Sequence, residues 1–183
     1  MGGDRLHGEA RQHRNGTMNG IEFRERRAED VGRVHELEKI CFRTPWSYNS
    51  LMSELTNDVA YYAVAVSDGI VVGYAGSWIM FDEAHITNIA VDPDYRCRGI
   101  AYAMILHLMK IALQKGAERM TLEVRESNLR AQRLYASLGF AYAGMRKHYY
   151  SDTGENALIL WNDCIIETYE KNTENKTEDD KNA

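Results

Sequence analysis

Proline is scarce. The 183 residues contain two, Pro45 and Pro93, so the segments between and after them can run as unbroken helices and central strands. Cysteine is scarce too. Cys41, Cys97 and Cys164 are odd in number and form no C-x-x-C pair, which argues against a disulfide framework and a zinc site. His7, His13 and His35 are scattered and suggest no metal ligand set, so no metal is expected. No apolar run approaches the ~20 residues of a membrane-spanning helix, and no signal-peptide core is present. A cytoplasmic protein without a membrane partner is expected. Positive charge is not in excess: the net charge of −5 speaks against direct nucleic-acid binding, yet suits a basic protein as partner.

What is present supports one domain. Apolar residues make up 44% of the chain, enough for a full core. Residues 1–19 are polar and Gly-rich and read as a disordered extension or tag. Residues 20–166 read as the domain, and 167–183 as a charged, Asn-rich, frayed tail. There is no internal repeat, and a monomer is expected.

Along the domain, Ile21 to Arg26 alternates as a strand. Val31, Val34, Leu37 and Ile40 form the stripe of a helix that opens with acidic residues. Phe42 to Trp46 breaks it, and Ser47 caps a second helix. Tyr61 to Val66 and Ile70 to Ile79 are strands joined by a Ser-Asp-Gly hairpin turn; Gly73 and Gly76 suggest a bulge or a close approach. Glu83 to Val91 is a strand. The run Arg96-Cys97-Arg98-Gly99-Ile100-Ala101 then opens a long helix with Met104, Ile105, Leu108 and Met109 on its stripe. Arg119 to Arg125 is a strand parallel to the one before that helix. Asn128 caps a helix that ends at Gly139. Phe140 to Met145 and Asn156 to Trp161 are late strands around a loop at 146–152. The fold class is α/β, a mixed sheet flanked by helices.

A strand, a short basic loop with Gly and a helix N-terminus together form an anion site, because the first N–H groups of the helix lack internal partners. The spacing is neither that of a P-loop nor of a dinucleotide fold. A solvated surface turn would look the same from this loop alone.

Taken in order, these motifs resemble the GNAT family of acetyl-CoA-dependent N-acetyltransferases. R-C-R-G-I-A matches that family's R/Q-x-x-G-x-G/A loop, and N-I-A-V its splayed strand. C-F-R-T-P-W-S, L-E-V-R-E-S-N-L-R-A-Q-R-L-Y-A-S-L-G-F and R-K-H-Y-Y with E-N-A-L-I-L resemble the branch that acetylates the N-terminal alanine of the eighteenth small-subunit ribosomal protein. Asn156 departs from the Asp often found there. The resemblance implies acetyl-CoA as co-substrate and the N-terminus of a ribosomal protein as acceptor, attacked directly in a ternary complex.

It also implies roles. Glu123 would be the general base and Tyr135 the general acid for the leaving thiolate. Ile89, Ala90, Val91, Arg96, Cys97, Arg98, Gly99, Ile100, Ala101 and Asn128 would hold the coenzyme. Phe42, Pro45, Trp46, Tyr149 and Tyr150 would wall the peptide groove. From the residues alone, Glu123 is equally a partner for Arg125, Tyr135 a core aromatic, and Trp46 part of a staple between helices. Action on lysine side chains or small amines, or acyl-CoA sensing without catalysis, stays open.

Overall fold

The computed structural model describes residues 16–18 and 20–179, and side chains for 20–174. Among these residues the strands are β1 (Gly16–Met18), β2 (Ile21–Glu25), β3 (Ala60–Ser67), β4 (Ile70–Met80), β5 (Glu83–Val91), β6 (Arg119–Arg125), β7 (Ala141–Tyr150) and β8 (Glu155–Asn162). The helices are α1 (Val31–Cys41), α2 (Tyr48–Ser53), α3 (Ile100–Gln114), α4 (Leu129–Ser137) and α5 (Ile165–Asp179). The strands form one mixed sheet in the order β1-β2-β3-β4-β5-β6-β8-β7. Every neighbouring pair is antiparallel except β5 and β6. That parallel pair needs a crossover, which α3 provides.

Alternation along β3 and β4 serves two cores, one on each face. On one face Met104, Ile105, Leu108 and Met109 of α3 pack on Ala63, Ala65 and Ala75. On the other, Val31, Val34, Leu37 and Leu51 of α1 and α2 pack on Tyr62, Val64 and Tyr74. Small residues under α3 let its large side chains approach the sheet closely. Each such buried side chain contributes about 1.5–3 kcal/mol. Gly76 is required by this packing, since a Cβ there would lie 2.1 Å from the Tyr62 ring.

Two features position the site. First, β5 pairs with β6 only from Glu83↔Arg119 to Ile86↔Leu122. Beyond that the strands part, β5 staying with β4 and β6 with β8. Thr87 is the extra residue where the β4–β5 register shifts, between Gly76↔Asn88 and Ser77↔Ile86. Second, buried Glu38 ties α1 to this bulge. Its carboxylate accepts from the Tyr74 hydroxyl, from Asn88 Nδ2 (3.1 Å) and from the Trp46 N–H (2.7 Å). Burial pushes this carboxyl above the usual range, although the bonds from Trp46 and Asn88 favour the ionised form.

Two expectations need correction. The run from Arg146 to Tyr150 is strand rather than loop. β7 continues to Tyr150 through an irregular stretch in which His148 has φ of 53°. Asn156 holds it together: Oδ1 accepts from the His148 N–H (3.1 Å), while Nδ2 donates to Glu126 (3.0 Å). A carboxylate there would oppose Glu126, which explains the Asn.

The expected frayed tail is also wrong for 167–179, because α5 runs to Asp179. Ile165 is fully buried, Tyr169 packs on the core of α3, and the Tyr102 hydroxyl donates to Asn172. This stripe falls at helical spacing but is half polar, so the charged composition hid it. Of the expected N-terminal extension, residues 16–18 form the edge strand β1; residues 1–15 and 19, with His7 and His13, lie outside the described residues, as do 180–183. No helix among the described residues is long and apolar enough to cross a membrane.

Candidate active site

The strand β5 ends at Val91, and the carboxylate of the next residue, Asp92, accepts from the Asp94 N–H (3.0 Å) and turns the chain. Arg33 of α1 grips the same carboxylate at 2.6 Å. Gly99 then caps α3 with φ of 77°, a left-handed conformation that glycine adopts without penalty. The first helical bond from this cap is Ala103 N–H to Gly99 C=O. The N–H groups of the first turn therefore face outward, at the positive end of a 15-residue helix.

They face a cleft of about 430 Å³. The splayed end of β5 lines it with Ile89, Ala90 and Val91. The loop and helix start supply Arg96, Cys97, Gly99, Ile100 and Ala101. The far wall is α4, with Asn128, Arg130, Leu134 and Tyr135. Thus all but one of the ten expected coenzyme residues border one cavity. Arg98 does not line it: its guanidinium donates to the Asp94 carbonyl (2.9 Å) and lies over the Tyr95 ring.

Arg130 was missed by sequence reasoning. It reaches Cys97 Sγ at 3.2 Å and places a third cation at the loop. Its only signal was a basic residue two positions after the Asn128 cap. Asn128 Oδ1 is occupied with the Ala131 N–H (3.2 Å), so its cap role is real. Arg96 is braced by the Val91 carbonyl (3.0 Å) and Cys41 Sγ (3.4 Å).

Tyr135 is half-buried on the cleft wall, edge-on to Phe140 at 5.9 Å between centroids. Burial pushes its phenol well above its ordinary value, so it stays protonated at neutral pH. Glu123 is the first β6 residue past the last pair with β5. Its Oε2 accepts from His85 Nε2 at 2.5 Å, and its Oε1 meets Arg146 Nε at 3.1 Å. The His85 hydrogen bond leads the causes that hold this carboxyl below the usual range, outweighing burial. Arg125 is not its partner: that guanidinium forks onto Asp152 (2.9 Å to each oxygen) and stacks on Tyr150 at 3.9 Å. His85 and Arg146 were also missed, because the β5–β6 and β6–β8–β7 registers that bring them to Glu123 cannot be read from the chain.

The five expected groove residues are dispersed. Phe42 lines the cleft at the start of α3. Pro45 and Trp46 border a separate hollow beside α2. Tyr149 and Tyr150 stand edge-to-face at 5.2 Å on the end of β7. No group of three His, Cys, Asp or Glu among the described residues is placed to hold a metal ion.

The mixed sheet, its splay and the amide-lined cleft define an acyltransferase frame, and comparison with known proteins agrees. Residues 31–140 match the model of the acetyltransferase (GNAT) family, and the chain belongs to that family. It is similar to the Escherichia coli (strain K12) protein named [ribosomal protein bS18]-alanine N-acetyltransferase, with 34% identity over 133 residues, 72% of this chain and 89% of that one. A Bacillus subtilis (strain 168) protein that carries the same designation provisionally is 43% identical over 139 residues, 75% of this chain and 92% of that one. The crystal structure of the Escherichia coli enzyme superposes with a TM-score of 0.72 at 31% identity, covering 77% of this chain and 92% of the other.

Proposed function

We propose that this protein transfers the acetyl group of acetyl-CoA to the N-terminal α-amino group of a protein, with the alanine of ribosomal protein bS18 as acceptor. The names of the relatives support the acceptor. The observation that carries the chemistry is the parting of β5 and β6. It opens a slot with Val91 and Tyr135 on the coenzyme side, and Glu123 is the first residue of β6 beyond the split.

The residues of the cleft fit the co-substrate. The diphosphate would rest on the first-turn amides of α3, with Arg96 and Arg130 adding charge. The pantetheine arm, itself a chain of amides, would extend β5 along Ile89 to Val91. The Val91 N–H would polarise the thioester carbonyl.

An α-ammonium has a reference pKa near 8, so one proton must leave before attack. Glu123 is held below the usual carboxylate range and is a weak proton acceptor by itself. It acts with His85, in contact at 2.5 Å, as a paired acceptor that also orients the amine. The neutral amine attacks the thioester carbon, the C–S bond breaks, and the thiolate takes the Tyr135 proton; the second proton, released from the new amide nitrogen, returns through solvent to the phenolate. Burial makes that phenol a weaker acid, but a thiolate in the same dry slot is a stronger base, so the transfer stays feasible.

The test is acetyl transfer to a peptide beginning Ala-Arg-Tyr, read by mass spectrometry, beside a peptide with a blocked N-terminus and an internal lysine. Acetylation of the first peptide alone is expected. Acetylation of lysine alone defeats the proposal. In cells, loss of the gene leaves the ribosomal N-terminus unmodified.

A further inference from the structure

The chemistry assigned to Glu123 and His85 depends on the direction of one imidazole. His85 Nε2 is on Glu123 Oε2 at 2.5 Å, while among the described residues its Nδ1 makes no hydrogen bond to a protein group. The residue opposite on β6, Thr121, turns its hydroxyl to the Leu160 carbonyl (2.9 Å). Rotation about the bond that joins an imidazole to its Cβ has broad minima, so a single hydrogen bond leaves the ring plane loosely set. Functional histidines are commonly fixed through the second nitrogen. In this protein a ring contact takes that place.

The contact is Trp78. The β4–β5 register sets Trp78 directly opposite His85. The two rings are perpendicular, at 88°, with centroids 6.3 Å apart, an edge-to-face pair. The indole is itself anchored, since Nε1 donates to Glu54 at 2.7 Å. Glu54, on the turn that follows α2, is held from two sides. Asn57 Nδ2 donates to it (3.3 Å), and the charge of Arg26, which is 4% exposed, acts on it. Arg26 donates to the Leu51 carbonyl (3.0 Å) and lies over the Tyr62 ring at 4.2 Å. Its Nε and Nη1 have no direct partner among the described residues, so Glu54 helps to offset a cation in a dry place. A chain of contacts thus runs from Arg26 through Glu54, Trp78 and His85 to Glu123 on β6.

We propose that Trp78 is a positioning residue for acetyl transfer: Glu54 fixes its indole, and the indole fixes the ring plane of His85 so that Nε2 stays on Glu123. This rests on the reading of His85 and Glu123 as a paired acceptor. Trp78 acts through His85 and moves no proton itself.

Steady-state kinetics on an Ala-Arg-Tyr peptide test it with four proteins: wild type, Trp78→Phe, His85→Ala and the double variant. Trp78→Phe keeps an aromatic ring against His85 but has no N–H for Glu54. Alone, it is expected to lower kcat about threefold, a population that one edge-to-face contact controls, with both KM values and the thermal midpoint near those of wild type. In the His85→Ala background the same change has no further effect, because no ring is left to direct. An equal loss in both backgrounds marks a packing defect and overturns the proposal, as does wild-type kcat in Trp78→Phe. Glu54→Gln keeps an acceptor for Nε1 and is expected to retain more kcat than Glu54→Leu, which removes it. Equal kcat in the two overturns the part given to Glu54. Trp78→Phe leaves both charges in place, so the four-protein comparison stands even where Glu54→Leu, which strands Arg26, fails to fold. Failure of the parent reading looks different: His85→Ala turns over like wild type, or no peptide N-terminus is acetylated at all, and the proposal falls with it.

Discussion

His85 and Glu123 meet at 2.5 Å across the parallel pair of the sheet, although His85 stands opposite Thr121 rather than Glu123. The imidazole leans forward by one same-face step, to the point where the strands separate. Removing the carboxylate removes both the charge and the orientation of the ring. Glu123→Gln is expected to lower kcat/KM by about 10²–10⁴, and His85→Ala by about tenfold, with acetyl-CoA affinity retained in both. Steady-state kinetics with an Ala-Arg-Tyr peptide checks this.

The depressed carboxyl of Glu123 has a pH consequence. Its folded pKa lies below the unfolded value, taken as 4.5. Its contacts with His85 and Arg146 therefore stabilise the fold above about pH 4.5, and that contribution is lost as pH falls through the lower folded value. The stability difference between wild type and Glu123→Gln should shrink as pH falls below about 4. Denaturant melts across that range measure it.

Tyr135→Phe removes a proton donor while keeping the ring against Phe140. The expected result is a fall in kcat of about 10²-fold with the acetyl-CoA KM little changed. A loss confined to KM would instead make the hydroxyl a binding group.

Gly99→Val places a β-branched residue at φ of 77°, with its side chain at the mouth of the cleft. Strain of about 1–2 kcal/mol is expected, with a rise of tenfold or more in acetyl-CoA KM. Arg130→Ala should raise the same KM several-fold and leave thermal stability alone. Isothermal titration separates the two effects.

Glu38→Ala leaves the Tyr74 hydroxyl, the Asn88 amide and the Trp46 N–H without their acceptor in a buried place. A loss of about 3 kcal/mol is expected. For a domain of this size that lowers Tm by about 10 °C, readable by calorimetry.

Much of the site was legible because local patterns carry it. Asp92-Pro93-Asp94, then Gly99 before an apolar stripe, announced a strand end and a helix start within one or two residues of their places. Ser47 and Asn128 were readable as caps because capping needs only the cap and the next turn. Residues joined by sheet register were not. His85, Arg146 and Glu123 lie far apart in the chain, and nothing local sets β6 between β5 and β8. Glu38 lies outside the apolar stripe of its helix and yet is fully buried, because its three donors come from elsewhere in the fold. The last helix escaped notice since its inner stripe mixes Ile165 and Tyr169 with Thr168 and Asn172.

That helix matters beyond its own packing. Tyr102 borders the cleft at the start of α3 and also donates its hydroxyl to Asn172. A premature stop codon ahead of Tyr169 would uncover one flank of the long crossover helix and release a wall of the cleft. A reading frame trimmed to the length of shorter relatives would give a protein that keeps Glu123 and Tyr135 but loses the support of Tyr102 at the cleft.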